Sequence, residues 1–112
     1  MDLTSRILDE ITIITISGKV DSHYDKFRDN LLKIVTDRKK VIINFSGLVY
    51  ITSFGLRAFL SVLKELTRSG GRLMVCCLDD FVRNTFLITG FLQLFEVYNT
   101  EEEAITKLKI VN

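Results

Sequence analysis

Two short, nearly unbroken apolar runs, Val41-Ile42-Ile43-Asn44-Phe45 and Leu73-Met74-Val75-Cys76-Cys77-Leu78, flank a segment in which Leu56, Phe59, Leu60, Leu63 and Leu66 recur at spacings of three and four. A run of that length with almost no polar interruption suits a strand covered on both faces. The intervening spacing puts one apolar stripe along a helix, and Ser69-Gly70-Gly71 supplies its stop. A strand with two buried faces needs layers on both sides of its sheet, which leaves few architectures open.

The flanking segments extend the pattern. Leu3 to Leu8 and the β-branched stretch Ile11 to Ile16, separated by Asp9-Glu10, predict two short strands joined by a tight turn. Gly18-Lys19-Val20-Asp21 breaks that pattern, and Ser22 followed by Asp25 is an Asp version of the Ser-x-x-Glu capping arrangement. A helix is expected from about Ser22 to Thr36, with Tyr24, Phe27, Leu31, Ile34 and Val35 on its apolar face.

Beyond the second apolar run, Asp79 is a helix cap before Phe81, Val82, Thr85 and Phe86, which the spacing puts on one side, and Gly90 ends that helix. Leu94 to Tyr98 reads as a short last strand. Thr100-Glu101-Glu102-Glu103 forms a capping box for a terminal helix carrying Ala104, Ile105 and Leu108. Strand-helix units thus repeat after the opening strands, giving an α/β or α+β class with a mixed sheet and helices packed on it. A chain of 112 residues is the size of one domain, residues 1–112.

Charge excludes some functions. The formal net charge is +1 and the Lys and Arg residues are dispersed, so no basic stripe offers a footprint for a phosphate backbone, and direct nucleic-acid binding is not expected. No apolar run approaches the length of about 20 residues that a membrane span needs. Met1 to Arg6 lacks a basic region followed by an apolar stretch, which makes a cytoplasmic protein without a membrane association the expectation. Cys76 and Cys77 are adjacent, and neighbours on a strand point to opposite faces, so buried, reduced packing thiols are expected and no metal site.

Chemistry in α/β units gathers where a strand ends and a helix begins, because backbone N–H groups are unpaired there and the helix dipole is positive. Thr52 and Ser53 stand at such a junction, and either hydroxyl can cap the helix. A phosphate on Ser53 would be tolerated by the same amide groups. Gly55 permits close approach of another chain.

The segment Val49-Tyr50-Ile51-Thr52-Ser53-Phe54-Gly55-Leu56 resembles the signature of the STAS domain family, in which an apolar pair precedes Asp-Ser-(Ser or Thr)-Gly-Leu. Gly18-Lys19-Val20-Asp21 resembles the family's Gly-Glu-Leu-Asp element, Ser69 to Leu73 its loop after the signature helix, and Phe86 to Phe95 followed by Glu103-Ala104 its C-terminal run. The resemblance implies a single STAS domain whose mixed β-sheet of about five strands packs with about four α-helices. It implies an anti-sigma-factor antagonist, with Ser53 at the serine that a partner kinase phosphorylates.

The same resemblance implies an anti-sigma factor that is also a serine kinase as partner, a metal-dependent serine phosphatase that resets the switch, and no cofactor. The expected docking surface comprises Asp21, Ser22, Thr52, Ser53, Phe54, Gly55 and Arg57. Thr52 stands where the family has Asp, Phe54 replaces a small hydroxyl residue, and Arg57 a Gly or small residue. An alternative is a STAS scaffold or sensor-complex subunit that is never phosphorylated.

No catalytic constellation competes. The chain has neither a Gly-x-Gly-x-x-Gly nor a Gly-x-x-x-x-Gly-Lys loop. Its one histidine, His23, is expected to be solvated or to cap a first helical turn. A receiver domain needs an acceptor Asp at the end of a central strand, where this chain has Asn44-Phe45-Ser46. Asp79 and Asp80 fit a cap and a first-turn acid instead.

Overall fold

The computed structural model describes residues 2–20 and 24–110. Strands β1 (Asp2–Leu8) and β2 (Ile11–Val20) form an antiparallel hairpin in which Leu8 faces Ile11. Asp9 makes the turn with a φ of 56°, a left-handed conformation that an Asp tolerates better than most side chains. The helix α1 (Tyr24–Val35) then crosses to β3 (Lys40–Ile51), α2 (Ser53–Arg68) to β4 (Arg72–Cys76), and α3 (Asp80–Ile88) with a 3-10 turn (Phe91–Gln93) to β5 (Glu96–Tyr98). The chain closes with α4 (Glu101–Ile110).

Sheet order is β1-β2-β3-β4-β5, with every pair after the first hairpin parallel. β3 is therefore the central strand, as its apolar run implies. Its residues alternate: Val41, Ile43 and Phe45 join Ile14, Ile16, Leu73 and Val75 beneath α1, α2 and α3, whereas Ile42 joins Ile11, Ile13, Met74 and Cys76 beneath α4. Each face is buried by helices, which is why both sets of side chains are apolar.

The three-helix side is built on phenylalanines. Phe45 lies edge-on to Phe59 at 4.9 Å and to Phe86 at 5.7 Å, while Phe27 meets Phe59 at 5.4 Å and Phe95 meets Phe86 at 5.6 Å. Edge-to-face arrangements match the positive ring edge to the negative face of its neighbour. One ring from β3 thus ties α1, α2 and α3 together through its partners. Phe95 is part of this core rather than an exposed contact residue.

Two boundaries differ from the sequence expectation. Gly18 and Lys19 do not end β2, which continues to Val20, and β3 does not stop near Ser46 but runs to Ile51. The register explains both. Thr15 pairs with Asn44 but Ser17 with Gly47, and Gly18 pairs with Leu48 but Lys19 with Tyr50, so β3 carries an extra residue at each step. Bulges of this kind bend the strand and re-aim its side chains.

The first bulge is held by the Asn44 carboxamide oxygen, which accepts the Ser46 amide at 2.8 Å. Gly47 is required beside it: a Cβ there would lie 2.9 Å from Ser17 Cβ and 3.0 Å from the Ile16 carbonyl oxygen. The extra residues bury Leu48 and Ile51 while turning Val49 and Tyr50 outward.

At α3 the spacing held only in part. Val82 and Phe86 are buried, but Phe81, in the first turn of the helix, is half exposed. The caps behave as their local sequence requires. Asp79 accepts the Val82 amide at 2.8 Å, and Thr100 accepts the Glu103 amide at 3.1 Å while its hydroxyl donates to the Glu103 carboxylate at 3.3 Å.

Candidate functional site

Parallel strands deliver their C-terminal ends to one edge of a sheet, so the ends of β2 and β3 and the starts of α2 and α3 share one rim here. Such rims are where open α/β sheets place functional groups. The second bulge in β3 shapes this one. It brings Ile51 inward and leaves the next residue, Thr52, at the mouth of α2.

Thr52 adopts an extended backbone, φ −89° and ψ 165°, and its hydroxyl accepts the Gly55 amide at 3.0 Å. The cap is therefore Thr52, settling which of the two hydroxyls holds the helix. Ser53 is the first helical residue, is exposed, and has no side-chain hydrogen bond among the described residues. The first turn of α2 carries no acid. Backbone amides and the dipole there favour an anionic group.

Gly55 is buried, and its amide is committed to the cap. Arg57 is exposed one turn beyond Ser53, at the i+4 position that faces the same side of the helix. Farther along, Arg57, Leu60, Ser61 and Lys64 of α2 and Phe91 of the 3-10 turn line an open groove of about 430 Å³. Among the described residues, two cations and two apolar side chains border it and no acid does. Phe54 lies in the first turn of α2, while Asp21 and Ser22 fall outside the described residues.

A second feature of the rim was not legible beforehand. Tyr50 from β3 and Phe81 from α3 stack with centroids 5.9 Å apart and planes 21° from parallel, although they are 41% and 48% exposed. Val49 beside them is 63% exposed. A stacked aromatic pair left in solvent next to an outward Val is an apolar contact surface. The signal in the sequence was Phe81 directly after the cap Asp79-Asp80, a first-turn position that a helix does not bury on its own.

Other charged pairs brace the sheet rather than the rim. Arg72 makes a two-pronged ion pair with Glu96 at 2.6 and 2.7 Å, and this bond to the carboxylate is what raises the Arg72 pKa most. Glu101 accepts from Asn44 at 2.7 Å and from Arg6. Among the described residues no helix is long and apolar enough to cross a membrane.

Comparisons with known proteins agree with this architecture. A family model described as the STAS domain matches residues 2–104. BtrV of Bordetella bronchiseptica, provisionally named an anti-sigma factor antagonist, is 35% identical over 111 residues, covering 97% of this chain and 96% of that one. The anti-sigma factor antagonist SpoIIAA in its unphosphorylated form superposes with a TM-score of 0.81 at 23% identity, over 99% of each chain. The phosphorylated form of Bacillus SpoIIAA gives a TM-score of 0.72 at 23% identity, over 96% of this chain and 99% of that one.

Proposed function

Because the chain belongs to the STAS domain family, we propose that it is an anti-sigma factor antagonist: a cytoplasmic regulatory binding protein, not an enzyme, that docks on an anti-sigma factor serine kinase while Ser53 is unmodified. Phosphorylation of Ser53 ends the docking, and a metal-dependent serine phosphatase restores it. The sigma factor is free for transcription while its inhibitor is occupied. The observation that carries this reading is that Thr52 takes the cap, leaving Ser53 exposed at the first position of α2.

Division of labour between the two hydroxyls is what a reversible switch needs. If Ser53 held the helix, modifying it would unravel the first turn. With Thr52 in that role, a phosphate at Ser53 adds about −1.5 to −2 charges without disturbing the fold. Misplaced charge at an interface costs several kcal/mol. At about 1.4 kcal/mol per tenfold, a loss of about 3 kcal/mol weakens binding more than a hundredfold.

The remaining candidates take supporting parts. Val49, Tyr50 and Phe81 supply the apolar contact, and Phe54, in the first turn of α2, is assigned to the same docking surface. Arg57 receives either an acidic group of the partner or, after modification, the phosphate one turn away. Asp21 and Ser22 complete the surface from the segment after β2.

The test is incubation with the cognate kinase and ATP, followed by mass spectrometry of the peptide containing Ser53. Phosphate on that residue is expected, and Ser53→Asp should bind the kinase at least a hundredfold more weakly than wild type. An unmodified Ser53, or an Asp variant that binds normally, overturns the switch. One observation favours a second reading, a STAS scaffold never phosphorylated: Thr52 replaces the family's Asp and so removes an acid beside the serine. Co-purification of a kinase with the unmodified protein separates the two.

A further inference from the structure

Regular strand geometry would send Cys76 and Cys77 to opposite faces of the sheet. The structure does not. β4 ends at Cys76, and Cys77 has a φ of 63°, a left-handed conformation rare for a side chain of this kind, with its amide donating to the Tyr98 carbonyl at 3.3 Å. Both thiols consequently belong to the α4 side. Cys76 is buried among Ile13, Ile42, Met74 and Ala104, and Cys77 packs against that same cluster while keeping partial exposure.

We propose that Cys76 and Cys77 form a vicinal dithiol modification site that is closed to a disulfide by small oxidised disulfides and reopened by thiols. The asymmetry of the pair assigns the roles. Cys77 is reachable from solvent and is the attacking sulfur. Cys76 is out of reach of any external reagent but adjacent to Cys77, which makes it the resolving sulfur. Its thiol is held protonated by burial first and then by the neighbouring Cys77, so it is inert until a mixed disulfide stands beside it.

The exchange balances with the small disulfide alone. Cys77, as thiolate after releasing a proton to solvent, attacks one sulfur of the reagent and expels the other half as a thiolate. That thiolate takes the Cys76 proton. Cys76 then attacks the Cys77 sulfur, the protein disulfide forms, and the second half of the reagent departs and takes up the solvent proton. The protein loses two protons and two electrons, and the reagent becomes two thiols.

Neighbouring Cα atoms are held about 3.8 Å apart by the peptide bond. That is below the roughly 4.4–6.8 Å usual for a disulfide, so the closed ring is strained and easily reduced. A bond of that kind serves reversible modification rather than permanent bracing. Its position also matters: Cys77 and Leu78 connect β4 to the Asp79 cap of α3, the helix that carries Phe81 to the rim.

Oxidised glutathione is the probe, applied to the full folded chain and followed by intact-mass and peptide mass spectrometry. Wild type should lose two hydrogen masses, retain no glutathione, link Cys76 to Cys77 in one peptide, and regain its mass in excess reduced glutathione. Cys76→Ser should instead trap glutathione on Cys77, and Cys77→Ser should stay unmodified while folded. The proposal is overturned if wild type accumulates a stable glutathione adduct, couples to a second copy of the chain, or remains reduced. The wild-type mass alone decides this, whatever the stability of the variants.

Discussion

The Thr52 hydroxyl accepts the Gly55 amide at 3.0 Å, and through that one bond the exposed residue between them, Ser53, is relieved of any part in holding α2. The relation separates stability from signalling at adjacent positions. Thr52→Ala should cost about 1 kcal/mol in chemical denaturation, the usual loss for a cap. Thr52→Asp should hold or raise stability, since a carboxylate caps equally well and suits the dipole. Ser53→Ala should move stability by less than about 0.5 kcal/mol.

Gly47 offers a sharper test of the bulged end of β3. An added methyl meets the Ile16 carbonyl and the Ser17 side chain at distances that require the two strands to separate. Overpacking of this kind costs about 1–3 kcal/mol, against a gain of about 0.4–1 kcal/mol from a stiffer unfolded chain. Gly47→Ala should therefore be net destabilising by about 1–2 kcal/mol in a denaturant titration. An unchanged midpoint would show that the strands are not held that closely.

Tyr50 and Phe81 should couple. Aromatic pairs contribute about 0.5–1.5 kcal/mol beyond their burial, and the partial exposure of this pair places it at the low end. A double-mutant cycle of Tyr50→Ala and Phe81→Ala, read by thermal or denaturant unfolding, should return a coupling of about 0.5 kcal/mol. Both single variants should also weaken kinase binding if the pair lies in the docking surface.

The buried Cys76 thiol makes stability fall in alkali. Burial raises its pKa in the folded state, so the unfolded chain loses the proton first, near the ordinary thiol value of about 8.5. Below that value both states are protonated and pH has no effect through this group. Above it the folded state binds more protons, and stability drops by up to about 1.4 kcal/mol per pH unit. Between pH 8 and 10, wild type should lose about 2 kcal/mol more than Cys76→Ala, measured by urea unfolding at each pH.

Most of the secondary structure and the location of the candidate site were readable from local pattern. The α2 stripe from Leu56 to Leu66 and the runs of β3 and β4 declare their period within a few residues, because helix and strand repeats are properties of the local backbone. Asp79 and Thr100 were equally legible, each cap being a bond to an amide three residues on. The junction at Thr52-Ser53 followed from the same signals. The choice between those hydroxyls did not, since both residues can present an oxygen to the first turn.

By itself, then, the sequence determined an α/β chain with buried central strands and a serine at a strand-to-helix junction, and its motifs resembled those of the STAS domain family. Tertiary structure alone decided that Thr52 caps while Ser53 faces solvent, that β3 runs on to Ile51 through two bulges beside β2, that Phe81 stacks on Tyr50, and that Cys77 turns to the same side as Cys76. The physical reason is common to these. The bulges, the aromatic stack and the turn of Cys77 depend on partners that the chain returns only after a crossover or from a neighbouring strand, and even the local Thr52–Gly55 bond follows from where the second bulge against β2 ends β3; no local periodicity encodes such partners.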